Sequence, residues 1–422
     1  MNPDRVDSLP RWLRATALPL ALLACSTRSS ATPPVTGSLE TIDGVRVLKL
    51  WGSPHEQGYA HGFLLGREII EFLDEAVFDP RVMKEPQRYE QRVRKEFVPH
   101  MELAPDRRCE LEGMLAGMAA AVGREGTHIE RLGRSLDVDD LAAVNALADW
   151  YRVNCSSFTA WGEIDGKKEL ITGRNLDFLQ LPGLDRNHVM IVYLEPGQGR
   201  KRWVSISWIG LIGAYTAINE DGVMISMHDA PGQKVTHDGR FVPRALALRE
   251  AIETARAAHA VDDVAAVLRR SPAIAGNNIH VSSPYTGQAE PAAVLEYDGD
   301  ESKDAGATLR RASGNSTHGW VACTNHYRLR NEPRPCERYA KLESALLAQT
   351  RGEVTPIDLP FARRVLADVG VPGTMHSVVF FPNRGEFHVS FAAPGTPAHL
   401  QDPARFELKS LLAPPTAPAS TP

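Results

Sequence analysis

The spacing of hydrophobic and polar positions divides the chain into two parts that meet at Asn154. Before this residue, apolar positions recur at helical intervals over 54–106, and the same spacing continues over 109–122 and 141–151. One alternating strand is predicted ahead of these helices, over 39–51. We therefore expect the first part of the chain to be mainly helical.

After Asn154 the pattern changes to short apolar runs separated by turn signals, which is typical of β-strands. The first group of runs predicts an antiparallel meander over residues 156–162, 169–175, 189–194, 203–208 and 223–227. Later patterns predict helices over 242–257, 261–269, 337–349 and 359–366, strands over 279–283 and 293–297, and a hairpin over 377–391 that turns at Asn383, Arg384 and Gly385. Because strands follow strands and helices follow helices, the predicted fold class is α+β rather than a doubly wound parallel sheet.

The N-terminus has the layout of an export signal. Arg5, Arg11 and Arg14 precede an apolar stretch over 15–24 that is too short to span a bilayer. The stretch ends in Leu-Leu-Ala-Cys25, which resembles the lipobox of bacterial lipoproteins. We therefore expect a signal over 1–25 and a chain that is exported and anchored by lipid at Cys25 to the cell envelope, at the outer membrane. The alternative is an ordinary cleaved signal that happens to contain a cysteine.

Two segments have compositions that do not support a packed core. Residues 26–38 are rich in Ser, Thr and Pro and are predicted to form a flexible tether, and residues 413–422 are predicted to be a disordered tail. The chain as a whole has the composition of a soluble globular protein, with 43% hydrophobic and 23% charged residues. Its formal charge of -5 is spread without long runs of one sign, so nucleic acid is not expected as a partner.

The chain contains five cysteines, which is too few for a disulfide framework to hold an exported protein of this size together. If Cys25 carries lipid and Cys155 has a chemical role, Cys109, Cys323 and Cys336 remain and allow at most one bridge. The sequence does not select a pair.

No metal or cofactor site is predicted. His55 and His61 are six positions apart in a glycine-containing segment, which does not place both imidazoles on one face of a helix. Cys-x-x-Cys spacing is absent, and residues 52–66 lack a phosphate-binding loop.

Cys155 stands where the helical part of the chain gives way to the strands. A single cysteine is more often a small buried hydrophobic residue than a nucleophile. Here, however, Arg174 and Asp177 follow on the return strand of a predicted hairpin that turns at Asp165 and Gly166. The hairpin brings both charged residues back to the end of the sheet where Cys155 lies. The alternative is that Arg174 and Asp177 form only an ion pair on the surface of the hairpin.

Cys155, the hairpin and the run Gly-Arg174-Asn-Leu-Asp177 together resemble the cysteine-type N-terminal nucleophile hydrolases. The resemblance is to penicillin acyltransferase and its autoproteolytic relatives, and also to choloylglycine hydrolase and acid ceramidase. The precursor segment of this family, also seen in phospholipase B-like proteins, is similar to the motif formed by Gly52, Ser53, Pro54, Glu56, Gly58 and Gly62. The likeness covers residues 39–395 and implies a four-layer αββα sandwich.

This resemblance implies that the precursor cuts itself between Asn154 and Cys155. Residues 39–154 would form a helical smaller chain and residues 155–412 the larger chain, and the two would remain associated because they fold before cleavage. The new α-amine of Cys155 would act as the base, since its reference pKa of about 7.7 to 8 suits neutral conditions. Arg174 would favour the thiolate, and Asp177 would orient the amine.

The resemblance also implies roles for the other candidate residues of the site. Asn325 matches the asparagine that donates to the oxyanion, and Arg338 stands where the ceramidase branch keeps an active-site arginine, although an arginine near a helix start can equally face only solvent. Asp229 occupies the position at which choloylglycine hydrolases carry an asparagine. Because an ionised carboxylate cannot donate a hydrogen bond, Asp229 is expected to hold the amine, to position Arg338 or to bind a polar group of the substrate. The neighbouring His228 is expected to have a packing role.

The predicted activity is hydrolysis of a linear carbon–nitrogen amide bond, or acyl transfer from one, through a thioester on Cys155. The expected partner is a small acyl-amide substrate, and no cofactor is required. Two alternatives remain open: a phospholipase B-like lipid acyl hydrolase that uses the same nucleophile, and a catalytically silent surface lipoprotein of the same fold. Five aromatic residues are candidates for an apolar acyl pocket, although such residues on strands more often form simple core: Trp161, Phe178, Trp203, Trp208 and Tyr215.

Overall fold

Two β-sheets form the centre of the computed structural model, which describes residues 34–164, 167–231, 239–286, 290–298, 300–314, 318–331, 333–350 and 357–414. The larger sheet has nine strands in the order β1-β2-β7-β8-β9-β10-β11-β12-β13. These strands are β1 (Gly37–Ile42), β2 (Val45–Leu50), β7 (His188–Tyr193), β8 (Trp203–Trp208), β9 (Thr216–Asn219), β10 (Met224–Asp229), β11 (Asn277–Ser282), β12 (Ala292–Tyr297) and β13 (Ala307–Arg311).

The second sheet has seven strands in the order β14-β15-β5-β6-β16-β17-β18. They are β14 (Ser313–Gly314), β15 (Gly319–Cys323), β5 (Asn154–Ile164), β6 (Lys167–Asp177), β16 (Thr374–Phe381), β17 (Glu386–Phe391) and β18 (Ala404–Glu407). A separate pair of short strands, β3 (His128–Ile129) and β4 (Arg134–Ser135), completes the described strands. The pairing within both large sheets is antiparallel except between β2 and β7, which run parallel.

The helices that precede β5 in the chain pack on one another. They are α1 (Pro54–Phe72), α2 (Pro80–Met83), α3 (Pro86–Arg88), α4 (Pro105–Val122), α5 (Val138–Asn145) and α6 (Leu147–Trp150), with π-helical segments at Leu73–Val77 and Tyr89–Lys95. The later helices are α7 (Arg244–Thr254), α8 (Ala260–Arg270), α9 (Glu337–Thr350), α10 (Leu359–Asp368) and α11 (Leu408–Leu411).

The helices and sheets form the four layers that the sequence resemblance implies. Helices α7 and α8 pack on the nine-stranded sheet through β9 to β13, and helices α9 and α10 pack on the seven-stranded sheet through β5, β6, β15 and β16. The two sheets contact each other directly, β10 against β5 and β12 against β15. The α+β class and the αββα sandwich are therefore confirmed.

Several predicted elements differ from the structure. The stretch 39–51 is a hairpin rather than one strand, because Asp43 and Gly44 adopt positive φ angles of 48° and 80° and form a tight turn between β1 and β2. The predicted helix over 141–151 is broken at Ala146 into α5 and α6. The predicted meander is divided, since β5 and β6 lie in one sheet and β7 to β10 in the other. Strands β9, β13, β14 and β18 were not predicted.

The precursor motif around Gly52 proves to be a helix start and a helix contact. Ser53 caps α1 and forms a capping box with Glu56. Gly58 and Gly62 face the backbone of α4 so closely that a Cβ atom on Gly62 would lie 2.0 Å from the carbonyl oxygen of Met114. The glycines therefore allow two helices to pack backbone against backbone.

Some predictions fall on the edges of the described chain. Cys25 and the signal over 1–25 lie outside the described residues, as do the tail residues from 415 onward. Strand β1 begins at Gly37, within the stretch that was predicted to be a tether. Within the residues that the structure describes, no helix is long and apolar enough to cross a membrane.

Candidate active site

Cys155 is the second residue of β5, and its neighbours on β6 are fixed by the strand register. Asn154 pairs with Asp177, Cys155 with Leu176 and Ser157 with Arg174. Directly paired residues point to the same face of a sheet, and so do residues two positions apart on one strand. Cys155 is two positions from Ser157, which pairs with Arg174, so the Cys155 and Arg174 side chains point to the same side. The turn predicted at residues 165–166 lies outside the described residues, but the hairpin brings both charged side chains to Cys155 as predicted.

The thiol of Cys155 lies between the two sheets. Its Sγ donates to the carbonyl oxygen of Met227 on β10 at 3.2 Å, and Nη2 of Arg174 lies 3.5 Å from Sγ. Arg174 also donates to the Met227 carbonyl at 3.2 Å and to the Thr216 hydroxyl, which in turn contacts His376. Arg174 is thus held by β9 and β10 in the position from which its charge acts on the sulfur.

Burial dominates the titration of this thiol in the continuous chain. The pKa of Cys155 is raised to about 11 by burial, although the Arg174 cation opposes the rise. Burial also lowers the pKa of Arg174. While the peptide bond to Asn154 is intact, Cys155 is therefore a neutral thiol at neutral pH.

The buried Asp177 and the half-buried Arg338 form an ion pair on the other side of the strand end. Nη1 of Arg338, from α9, lies 3.0 Å from a carboxylate oxygen of Asp177, and the hydroxyl of Thr374 donates to the second oxygen at 2.8 Å. Burial raises the pKa of Asp177 to about 6, against the opposing effects of Arg338 and the Thr374 hydrogen bond. Arg338 also donates to the carbonyl oxygen of Cys155 at 3.0 Å, so it lies within the site.

Asn325 follows β15 and binds the backbone of Cys155. Its Oδ1 accepts hydrogen bonds from the Cys155 N–H and from Arg338, both at 2.9 Å. Its Nδ2 donates to the carbonyl oxygens of Asp229, at 2.7 Å, and Val153, at 3.3 Å. In the continuous chain, both hydrogens of the amide are therefore directed at backbone carbonyls.

Asp229 pairs with an arginine that the sequence analysis did not identify. Its carboxylate lies 3.1 Å from Nη1 of Arg244, a fully buried residue at the start of α7. Arg244 also contacts Asp149 of α6, which is 95 positions away in sequence. Arg338 is engaged with Asp177, so the described contacts place Asp229 with Arg244. A buried arginine within a helical pattern carries no local signal that would have identified it.

His228, Cys323 and Cys336 lie near this arrangement, but no described hydrogen bond joins their side chains to Cys155, Arg174 or Arg338. His228 is fully buried, and burial together with the nearby Arg174 lowers its pKa well below the usual value, so the ring is neutral. Cys323 and Cys336 are both free, so neither is bridged to the other or to Cys109. Across the described parts of the chain, no cluster of three or more His, Cys, Asp or Glu residues could hold a metal ion.

An apolar cavity lies beside Cys155. Part of the cavity wall is formed by Val153, two positions before Cys155 in the chain, and by Leu176, which pairs with Cys155 across the two strands. The other lining residues are Phe72, Ala76, Val77, Val82, Leu147, Phe178, Leu181, Leu184, Trp208, Leu211 and Tyr215. Of the predicted aromatic candidates, Phe178, Trp208 and Tyr215 line this cavity. Trp161 packs in a separate cluster, and Trp203 stacks on Tyr193 with ring centroids 4.6 Å apart.

Comparison with known family models finds one similarity. Residues 164–350 match the family described as acyl-coenzyme A:6-aminopenicillanic acid acyl-transferase. Over these residues the chain is similar to that family, in agreement with the resemblance stated from its sequence. The matched region contains Arg174, Asp177, Asp229, Asn325 and Arg338 but begins after Cys155. The match supports amide hydrolysis or acyl transfer as the general chemistry.

Solved structures similar to this chain include an acid amidase ortholog, a bile acid hydrolase and a penicillin V acylase. A Caenorhabditis elegans ortholog of N-acylethanolamine-hydrolyzing acid amidase is 16% identical, with a TM-score of 0.40, and the match covers 54% of this chain and 93% of that chain. A mutant of conjugated bile acid hydrolase from Clostridium perfringens is 11% identical, with a TM-score of 0.41 and coverage of 61% and 94%. Penicillin V acylase from Agrobacterium tumefaciens is 15% identical, with a TM-score of 0.37 and coverage of 56% and 83%. No curated protein matches the chain in sequence.

Proposed function

We propose that this chain cuts itself between Asn154 and Cys155 and then hydrolyses an amide with an apolar acyl group, through a thioester on Cys155. The observation that carries this proposal is the way the polar groups of Cys155 are held. Arg174 faces its sulfur, Asn325 accepts from its backbone nitrogen, and Arg338 donates to its carbonyl oxygen. A buried structural cysteine has no need of such contacts.

Self-cleavage begins at the thiol. The Cys155 sulfur attacks the Asn154 carbonyl carbon, the carbon–nitrogen bond breaks, and the thiol proton passes to the departing nitrogen. Water then hydrolyses the resulting thioester, which leaves a carboxylic acid on Asn154 and restores the thiol. The product is a free α-amine on Cys155, next to the oxygen of Asn325 that accepts from the same nitrogen in the uncut chain.

The α-amine then serves as the general base for turnover. It accepts the thiol proton, the thiolate attacks the substrate carbonyl, and the amine of the substrate leaves with that proton. Water releases the acyl group from sulfur, again with the α-amine as base. The nearby Arg174 stabilises the thiolate of Cys155, and Asp177 holds Arg338 beside Cys155.

Asn325 is proposed to donate to the oxyanion. Its Nδ2 binds the Val153 carbonyl in the continuous chain, and this residue precedes the cleavage site. Once the new C-terminus at Asn154 moves away, that hydrogen is free to bind a substrate oxygen. A single donor of this kind contributes about 100- to 1000-fold in rate.

The substrate's acyl group is proposed to be apolar. The cavity beside Cys155 is lined by aliphatic and aromatic side chains, and burying a CH₂ group there stabilises the complex by about 0.8 kcal/mol. Residues from both sides of the cleavage site form its wall, so the smaller chain must stay associated even after its last residues, Val153 and Asn154, move away.

The first test is to trap the acyl-enzyme with N-acyl amides of increasing chain length. Acid quenching followed by intact mass should show one acyl group added to the larger chain, at Cys155. Ala76→Phe, which would fill the cavity, should reduce kcat/KM for long acyl chains more than for short ones. Comparing kcat/KM for these amides with kcat/KM for esters of the same acyl groups distinguishes an amidase from a lipid esterase. Absence of any acylated species with every amide and ester would contradict the proposal.

Export and lipid attachment at Cys25 remain a separate proposal that rests on the N-terminal sequence pattern. Labelling with a radioactive fatty acid in a bacterial host should mark the wild-type protein and not Cys25→Ala. Unlabelled wild type would contradict lipid attachment without affecting the catalytic proposal.

A further inference from the structure

Three charged side chains are buried together behind the active site. Arg244 is 1% exposed, Asp149 is 2% exposed and Asp229 is 5% exposed. Nη1 of Arg244 lies 3.1 Å from the Asp229 carboxylate, and the Arg244 backbone N–H donates to Asp149 at 3.1 Å. The guanidinium Nε lies 3.4 Å from the other Asp149 oxygen. One cation therefore joins two carboxylates that come from opposite sides of the cleavage site.

The cluster is connected to the nucleophile through Asp229. The backbone carbonyl of Asp229 accepts from Nδ2 of Asn325 at 2.7 Å, and Asn325 in turn accepts from the Cys155 nitrogen. Asp229 also ends the strand in which Met227 accepts from the Cys155 thiol. A shift of this strand end would move the Met227 carbonyl, which accepts from the Cys155 thiol, and the side-chain amide of Asn325, which binds the Cys155 nitrogen.

Arg244 is fixed by more than its two carboxylates. Its Nη1 also donates to the carbonyl oxygen of Gly276 at 3.1 Å and to the side-chain oxygen of Asn277, at the start of β11. Asn277 pairs with Asp229 across the two strands. The guanidinium therefore binds both strands at the point where they leave the sheet.

We propose that Arg244 is a positioning residue that holds Asp229 in place and thereby orients Asn325 for both self-cleavage and turnover. This inference rests on the proposed function and adds to it a residue on α7 that does not touch the reacting atoms. The physical reason is charge balance. Without the cation, both carboxylates lose its compensating charge in the interior, where each carries a large desolvation cost.

A double-mutant cycle separates this role from general stability. Arg244→Met in the wild-type background should reduce both the rate of self-cleavage and kcat by about 10- to 100-fold, the range found when outer partners of active-site groups are removed. Asp229→Asn should cause a smaller loss, because its backbone carbonyl remains available to Asn325. In the Asp229→Asn background, Arg244→Met should cost less than about 3-fold, since the Asp229 carboxylate that the cation holds is no longer present. Arg244→Lys, which keeps the cation, should recover part of the loss.

Arg249→Met is the matched control. Arg249 lies on the same helix, is equally buried, and also joins carboxylates from both sides of the cleavage site, Glu110 and Glu253. Its hydrogen bonds go to Glu253, to the Tyr193 hydroxyl and to the Ile212 carbonyl, none of which belongs to the active site. Its removal should therefore lower the thermal midpoint while leaving kcat per folded active centre unchanged. Circular dichroism and gel filtration establish the folded fraction of every variant.

The outcomes are distinct. If Arg244→Met does not fold, the double variant should still fold and cleave itself, and its failure to do so would overturn the inference. An equal loss of kcat from Arg244→Met in both backgrounds, or a loss no larger than that of Arg249→Met, would also overturn it. A wild-type protein that neither cleaves itself nor forms an acyl-enzyme would instead contradict the proposed function.

Discussion

The thiol of Cys155 lies beside a cation that stabilises its charged form and a carbonyl that accepts its hydrogen bond. In the uncut chain burial outweighs the cation, and the pKa of the thiol is about 11. Cleavage would add an amine base next to the sulfur. The reactivity of this residue is therefore expected to depend on the break in the chain rather than on Arg174 alone.

Asp177 gives a pH dependence whose sign follows from its burial. Burial raises its pKa from 3.8 to about 6 in the folded protein. Between these values the folded state binds a proton that the unfolded state has lost, so this residue lowers the free energy of unfolding as pH rises from about 4 to about 6. The wild type should therefore lose on the order of 3 kcal/mol relative to Asp177→Asn across this interval.

Urea unfolding of both proteins at several pH values measures this difference, and all other titrating groups cancel in the comparison. A wild type that gains stability relative to Asp177→Asn over the same interval would show that Arg338 and Thr374 outweigh burial. The prediction would then be wrong in sign.

The active-site residues differ in how well the sequence could identify them. Arg174 and Asp177 follow from a hairpin of adjacent strands, so their nearness to Cys155 is set by local register. Asn325 and Arg338 are distant in sequence and were named by family resemblance. Arg244 was missed because a charged residue at a helix start is ordinarily exposed, and its burial depends on two carboxylates that the fold brings from elsewhere.

At the scale of elements, the contact between α1 and α4 is unusually close. Gly58 and Gly62 of α1 meet the α4 backbone, and Gly113 and Gly117 of α4 meet the α1 backbone in return. An added side-chain atom has no flexible neighbour to displace at these positions. The helix pair, which forms much of the predicted smaller chain, therefore requires glycine on both faces.

Gly62→Ala should destabilise the protein by about 3 kcal/mol, because overpacking typically costs about 1–3 kcal/mol and the clash here is with backbone atoms. A Cβ atom at this position would lie 2.0 Å from the Met114 carbonyl oxygen. Gly66→Ala is the control, since its nearest contact is 3.0 Å and alanine favours the helix. Thermal unfolding of both variants checks the prediction. Equal midpoints for the two would contradict the importance of the close contact.

Elements were predicted more reliably than their arrangement. Residues 337–349 and 359–366 were predicted as helices and correspond closely to α9 and α10, because their apolar positions recur at helical spacing. The division of strands between two sheets was not predicted, since a short apolar run identifies a strand but not its partner. Strand β5 pairs with β15, which comes far later in the chain.

At the scale of the whole molecule, a buried ionic cluster joins the two sides of the proposed cleavage site. Arg107 and Glu110 of α4 contact Glu253 and Arg249 of α7. Because these groups are buried, salt screens their interactions far less than it screens surface pairs. The cluster, together with the cavity wall that both segments share, explains how two chains would remain associated after cleavage.

The central claim is that Cys155 becomes the N-terminal residue of a separate chain. N-terminal sequencing and intact mass of the purified wild type measure this directly, with Cys155→Ala prepared in the same way. The account predicts two wild-type chains that elute together, the larger beginning at Cys155, and a single uncut chain for Cys155→Ala. A wild type that remains one continuous polypeptide, or a Cys155→Ala protein that is cut at the same bond, would contradict it.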